Sequence, residues 1–142
     1  MTSDDQSQTL LRAINNDDNA SLEGLTTSKI KSIKNDVLQQ LHLSRAGLLD
    51  MHKRLRCYRF VDDLDALRYG SYVRWIRLTD QGLKLTTGGI VCDMQVFDKG
   101  LTIKCKNRFH QIFQFRMDEC LVFQKLNDQE CVLLAALDYL NT

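Results

Sequence analysis

Apolar residues recur at helical spacing in the first part of the chain and alternate with polar ones in the second, and the change comes near residue 70. Ile30, Ile33, Val37, Leu38 and Leu41 stand three and four residues apart, which gathers them on one face of a helix that starts at a Thr27 or Ser28 cap. Lys29, Lys31, Lys34 and Gln40 fall mostly on its other sides. The pattern resumes with Leu48, Leu49, Met51 and Leu55, so residues 28–58 read as one bent helix or as two, the second capped by Ser44. A continuous helix there would favour a helix partner. Burial against the chain's own strands would satisfy the same face.

Phe60 to Leu67 is a short acidic connector, and from Ser71 the period changes to two. Five strands follow: Ser71 to Leu78; Lys84 to Thr87, resumed after a break as Ile90 to Phe97; Leu101 to Lys106; Gln111 to Met117; and Cys120 to Leu126. Gly88-Gly89 marks a bulge or sharp bend, because glycine accepts backbone conformations other residues resist. Asp98-Lys99-Gly100 is a turn signal. Asn127 or Asp128 then caps a helix through Leu140 whose Val132, Leu133, Ala135, Ala136, Leu137 and Leu140 make most of its circumference apolar, so burial is expected. Trp75 and Val73 are expected in the core.

This order predicts an α+β fold: N-terminal helices, then a five-stranded antiparallel small β-barrel of the Sm-like or Tudor-like kind, then a C-terminal helix. A flat five-stranded sheet under the helices is the competing arrangement. The expected divisions are an acidic flexible tail over 1–27, a helical region over 28–58, and the small barrel with its helix over 59–142, packed with the helices as one unit.

A chain of 142 residues can bury a sizeable core. The net charge of +1 hides segregation: residues 1–27 carry one basic and five acidic side chains, residues 67–126 ten and five. That bias falls short of a strongly nucleic-acid-like profile. Five cysteines, odd in number and without a Cys-x-x-Cys pair, read as reduced thiols, four of them at apolar positions. No signal peptide or membrane-length apolar run is evident, which predicts no membrane insertion and no secretion.

The candidate chemistry is sparse. His42, His52 and His110 are scattered, so no metal site is expected, and no nucleophile elbow or phosphate loop is present, so no catalytic or cofactor-binding residue is assigned. Asp62, Asp63 and Asp65 read as a solvated stretch. Lys104, Lys106, Arg108, Phe109 and His110 interleave basic and aromatic groups along a strand and its turn, which suits single-stranded nucleic acid, with Arg74 as a further contact. Arg77 shares strand one with Arg74 and is placed to reach a partner or one of the Asp side chains. Lys53, Arg54, Arg56 and Arg59 form a basic helix end, a candidate partner-binding helix that also suits the helix dipole.

Tyr58-Arg59-Phe60-Val61-Asp62-Asp63-Leu64-Asp65, Gly70-Ser71-Tyr72-Val73-Arg74-Trp75-Ile76, Leu85-Thr86-Thr87-Gly88-Gly89-Ile90, Phe123-Gln124-Lys125-Leu126 and Leu137-Asp138-Tyr139-Leu140 together resemble a family of uncharacterised proteins of giant nucleocytoplasmic large DNA viruses, mimivirus-like and phycodnavirus-like. The resemblance covers about residues 28–141. It implies a virus-encoded protein of the host cytoplasm, at the viral factory, or of the virion, and brings no established activity. The resulting expectation is a non-enzymatic interaction or structural module that binds a protein partner or itself. Nucleic-acid binding by the basic strand and turn is the alternative.

Overall fold

The computed structural model describes residues 24–79, 81–98 and 100–140, together with Gln8, Leu11 and Arg12. The acidic tail expected over 1–27 lies largely outside the described residues. Helix α1 spans Thr27–Gln39, with the Thr26 hydroxyl accepting from the Lys29 amide, and α2 spans Arg45–Arg54, with Ser44 accepting from Gly47. Between them the chain turns through His42 at φ 53°. The apolar pattern over 28–58 is therefore two helices, and its last residues belong to a strand, β1 (Tyr58–Val61). The chain continues through β2 (Tyr72–Arg77), β3 (Gly89–Phe97), β4 (Gly100–Lys106), β5 (Ile112–Arg116) and β6 (Cys120–Lys125), and ends in α3 (Asp128–Leu140).

The six strands form one antiparallel sheet in the order β1-β6-β2-β3-β4-β5, and the sheet is not closed. The α+β class holds, but the five-stranded barrel does not. The reason lies in β1. It pairs Tyr58 through Val61 with Lys125 through Val122, and so occupies the flank of β6 that a closing β5 would need.

Gly88-Gly89 does bend the chain. Tyr72 and Val73 pair with Ile90 and Gly89, whereas Ile76 bridges Leu85, so three steps along β2 match four on the partner and one residue is extra. Gly88 lies between these two anchor points, at φ 88°, and a Cβ there would sit 2.2 Å from the Val73 carbonyl oxygen. Beyond it the strand leaves β2 and pairs with β4 along Ile90 to Phe97.

The two faces of the sheet bury separate clusters. The inner face gathers Val61, Val73, Trp75, Val91, Ile103, Cys105, Phe115 and Val122, plugged by Ala66 and Leu67 at a short 3₁₀ turn. The outer face of β6 and β2 presents Phe123 and Ile76 to Leu38, Met51 and Leu55 of the helical segment. Full burial of each such side chain contributes roughly 1.5–3 kcal/mol. Only Glu130 and Leu134 of α3 are buried, and Tyr139 and Leu140 are exposed, so the expected burial of that helix is partial. Two of the five cysteines, Cys105 and Cys120, are buried, against the four expected at apolar positions, and none of the five is in a disulfide.

Buried polar groups tie the helices to the sheet. Asn127 and Glu130 cap the start of α3 reciprocally: each side chain accepts from the other's amide, at 2.8 and 3.1 Å. The Glu130 carboxylate also pairs with Arg68 and lies 3.9 Å from the Arg59 guanidinium. Beside them Gln124 donates to the Ala66 carbonyl and accepts from the Arg68 amide. Lys34, expected away from the apolar face, is buried, and its ammonium donates to the Leu55 and Tyr58 carbonyls at 2.8 and 3.0 Å. It shares the Leu55 carbonyl with the Tyr58 amide and takes the Tyr58 carbonyl besides. Burial pulls its pKa below the ordinary lysine value.

Candidate binding surface

The two edges of the sheet are treated differently. At β1, helix α1 packs alongside and Lys34 takes the Tyr58 carbonyl. At the far edge, β5 pairs only with β4 and exposes Ile112 (64%) and Phe113 (41%). The cluster beneath α1 and α2 draws no residue from β3, β4 or β5. That half of the sheet therefore shows its outer face to solvent, and the register sets Tyr72, Ile90, Lys106 and Ile112 in one row across four strands.

On the inner side β5 leans back toward β2 without a ladder. Phe115 stacks on Trp75 with ring centroids 4.4 Å apart, and the Arg77 guanidinium donates to the Gln114 carbonyl at 3.1 Å. A cavity of about 250 Å³ opens beside this contact, between β5 and the segment that precedes β3.

The structure brings some expected site residues together. Lys104 and Lys106 share the outer face of β4, and Arg108, Phe109 and His110 form the tip that follows. Asn107 shapes that tip: its side-chain oxygen accepts from the amides of Phe109 and Gln111 at 2.9 and 3.0 Å. The Arg108 guanidinium stands 4.7 Å above the exposed Phe109 ring. Arg74 is engaged elsewhere, donating to the Thr86 carbonyl at 2.8 Å and to the Arg54 backbone carbonyl at 3.5 Å, and burial lowers its pKa. Lys53, Arg54 and Arg56 are exposed at and after the end of α2. Arg59 does not belong with them, because it is a buried strand residue facing Glu130.

Asp62, Asp63 and Asp65 are exposed, with Asp63 capping the 3₁₀ turn. Among the described residues no three His, Cys, Asp or Glu side chains gather where they could hold a metal ion, and no helix is long and apolar enough to cross a membrane. Sequence reasoning missed Ile112 and Phe113 as surface features. Alternation marked them as strand residues, but nothing local distinguishes an edge strand from a central one. It also missed Glu130, for which the spacing Asn127-x-x-Glu130 was an available signal. Compared with protein-family models, with curated proteins and with solved structures, the chain matches none at a significant level.

Proposed function

We propose that the protein is a non-enzymatic interaction module that self-associates by pairing β5 with β5 of a second copy, in the viral setting that the sequence resemblance implies. The observation that carries this reading is the β5 edge, which pairs with no strand beyond β4 and which Arg77 reaches at Gln114. Natural sheets blunt free edges with charge, proline, bulges or a covering element, and Ile112-Phe113-Gln114-Phe115-Arg116 offers one charge and no proline. The Gln114 carbonyl faces away from β4 toward Arg77, so alternation turns the polar groups of Ile112, Gln114 and Arg116 outward. A two-fold axis at Gln114 sets Ile112 of one copy against Arg116 of the other, and each Arg77 has to release the Gln114 carbonyl and swing from the axis as the strands pair.

The test is mass by light scattering across a concentration series to about 100 μM, a range that detects micromolar pairing. The expected result is a dimer that Ile112→Lys converts to a monomer with an unchanged circular dichroism spectrum. A wild-type monomer throughout, or a dimer indifferent to Ile112→Lys, overturns the reading.

The hairpin tip favours a second reading, binding of single-stranded nucleic acid. An exposed ring with a guanidinium over it, flanked by Lys106 and His110, offers both a stacking platform and phosphate contacts. Oligonucleotide added to the same measurement should then shift the mass at low salt only, and Lys106→Glu with Arg108→Glu should remove the shift.

A further inference from the structure

The cavity beside β5 has a chemically one-sided lining. Arg77 and Lys84 contribute two cations, neither of which makes an ion pair among the described residues, and no carboxylate lines it. Three acceptors in the wall are already engaged: the Thr86 carbonyl takes Arg74, the Thr87 carbonyl takes the Tyr72 hydroxyl, and the Thr86 hydroxyl oxygen takes the Trp75 amide. The donors are left over. They include both threonine hydroxyl protons, the ammonium of Lys84 and the remaining N–H groups of Arg77. Trp75 also lines the cavity, and its indole N–H is buried with no partner among the described residues. That N–H is closed off from solvent, so the donors a ligand in the cavity can reach are those of Arg77, Lys84 and the two threonines.

The apolar part of the lining is aromatic, with Trp75 on one wall and the half-exposed Phe113 on another. A volume of about 250 Å³ is smaller than the roughly 300–1,000 Å³ typical of drug-sized ligands. It suits one ring with one anionic substituent. We propose that this cavity binds a small aromatic oxyanion, a single planar ring carrying a phosphate or carboxylate, with the oxygens held between Arg77 and Lys84 and the ring against Phe113. Arg77 then either bridges to β5 or turns its fork to the anion, and a bidentate guanidinium can share both duties. The site shares Arg77 and Phe113 with the edge proposed to pair, and Lys84→Gln, which touches neither Ile112 nor the β5 backbone, separates the failure of one proposal from that of the other.

Trp75 is the only tryptophan in the chain, so its emission reports on this cavity without labelling. The full chain is titrated with phenyl phosphate, benzoate, inorganic phosphate and benzyl alcohol. The expected result is a saturable change with phenyl phosphate or benzoate, and binding at least about tenfold weaker for phosphate alone and for the neutral alcohol, as loss of a charge-assisted hydrogen bond or of ring contact implies. Arg77→Gln and Lys84→Gln should each weaken the aromatic anion by about tenfold, whereas Lys31→Gln on the exposed side of α1 leaves it unchanged. Lys84 is exposed, so its variant reads out binding even if Arg77→Gln disturbs the contact with β5. No saturable change with either aromatic anion, equal binding of benzyl alcohol, or affinity unaltered by Lys84→Gln overturns the proposal.

Discussion

The halves of the sheet differ in what covers them. Strands β1, β6 and β2 lie under the helices, and β6 is buried on both faces, with Val122 and Gln124 on one and Phe123 on the other. Strands β3, β4 and β5 have a single buried face, and β4 alternates buried Ile103 and Cys105 with half-exposed Lys104 and exposed Lys106. The covered half is held by long-range polar ties and the bare half by neighbouring hairpins. Stability is concentrated in the first, and free surface in the second.

The largest expected effect comes from Glu130→Ala. It removes the cap of α3 and leaves Arg59 and Arg68 facing each other without their carboxylate, a loss of about 3–5 kcal/mol for a broken buried pair, read by urea unfolding. Ile112→Lys on the bare half should change stability by less than about 0.5 kcal/mol in the same assay, run at a concentration where the wild type is monomeric. Equal losses would break the contrast between the halves.

Next is Gly88→Ala, at the bend where one strand passes from the covered half to the bare one. The added Cβ meets the Val73 carbonyl and the backbone stays at positive φ, so a cost of about 2 kcal/mol or more is expected in thermal or urea unfolding. A neutral substitution would mean that the bend does not set the register.

The smallest effect concerns the contact between α3 and α1. Asp138 accepts from the Thr27 hydroxyl and amide at 2.5 and 2.8 Å, and these bonds hold its pKa below the ordinary 3.8. A depressed carboxylate pKa contributes stability that is complete above the unfolded value and lost as pH falls through the folded one. Asp138→Asn should therefore narrow the difference in unfolding midpoint between pH 6 and pH 3, with little change at pH 3. An identical pH dependence in the variant would remove Asp138 from the contact.

Much of this division was legible in local pattern. The alternating segments, the Gly88-Gly89 bend, the Ser44 cap and the start of α3 follow from spacing and turn chemistry, except that Lys84 to Thr87, expected as strand, makes only an isolated bridge at Leu85. Three things did not follow, each for a long-range reason. Tyr58–Val61 reads as the end of a helical region running into an acidic connector, and only β6, some sixty residues later, makes it a strand. Arg59 and Lys34 look like solvated cations until carbonyls and Glu130 are brought to them from other elements. The Lys104 to His110 surface was readable because strand alternation and an Asn-led turn are local. The β5 edge and the cavity beside it were not, since both depend on which strand lacks a neighbour.

The placement of β1 also has a temporal side. Its ladder joins Tyr58 to Lys125, 67 residues apart, whereas the β3–β4 hairpin closes between Phe97 and Gly100. Closing the longer loop costs more chain entropy, and the hairpins can form without it. During synthesis α1, α2 and β1 leave the ribosome first, yet their seat on the sheet does not exist until β6 has been made. The earliest segments of the described chain are thus the ones that wait longest, with Leu38, Leu55 and Arg59 in water until the last strand arrives.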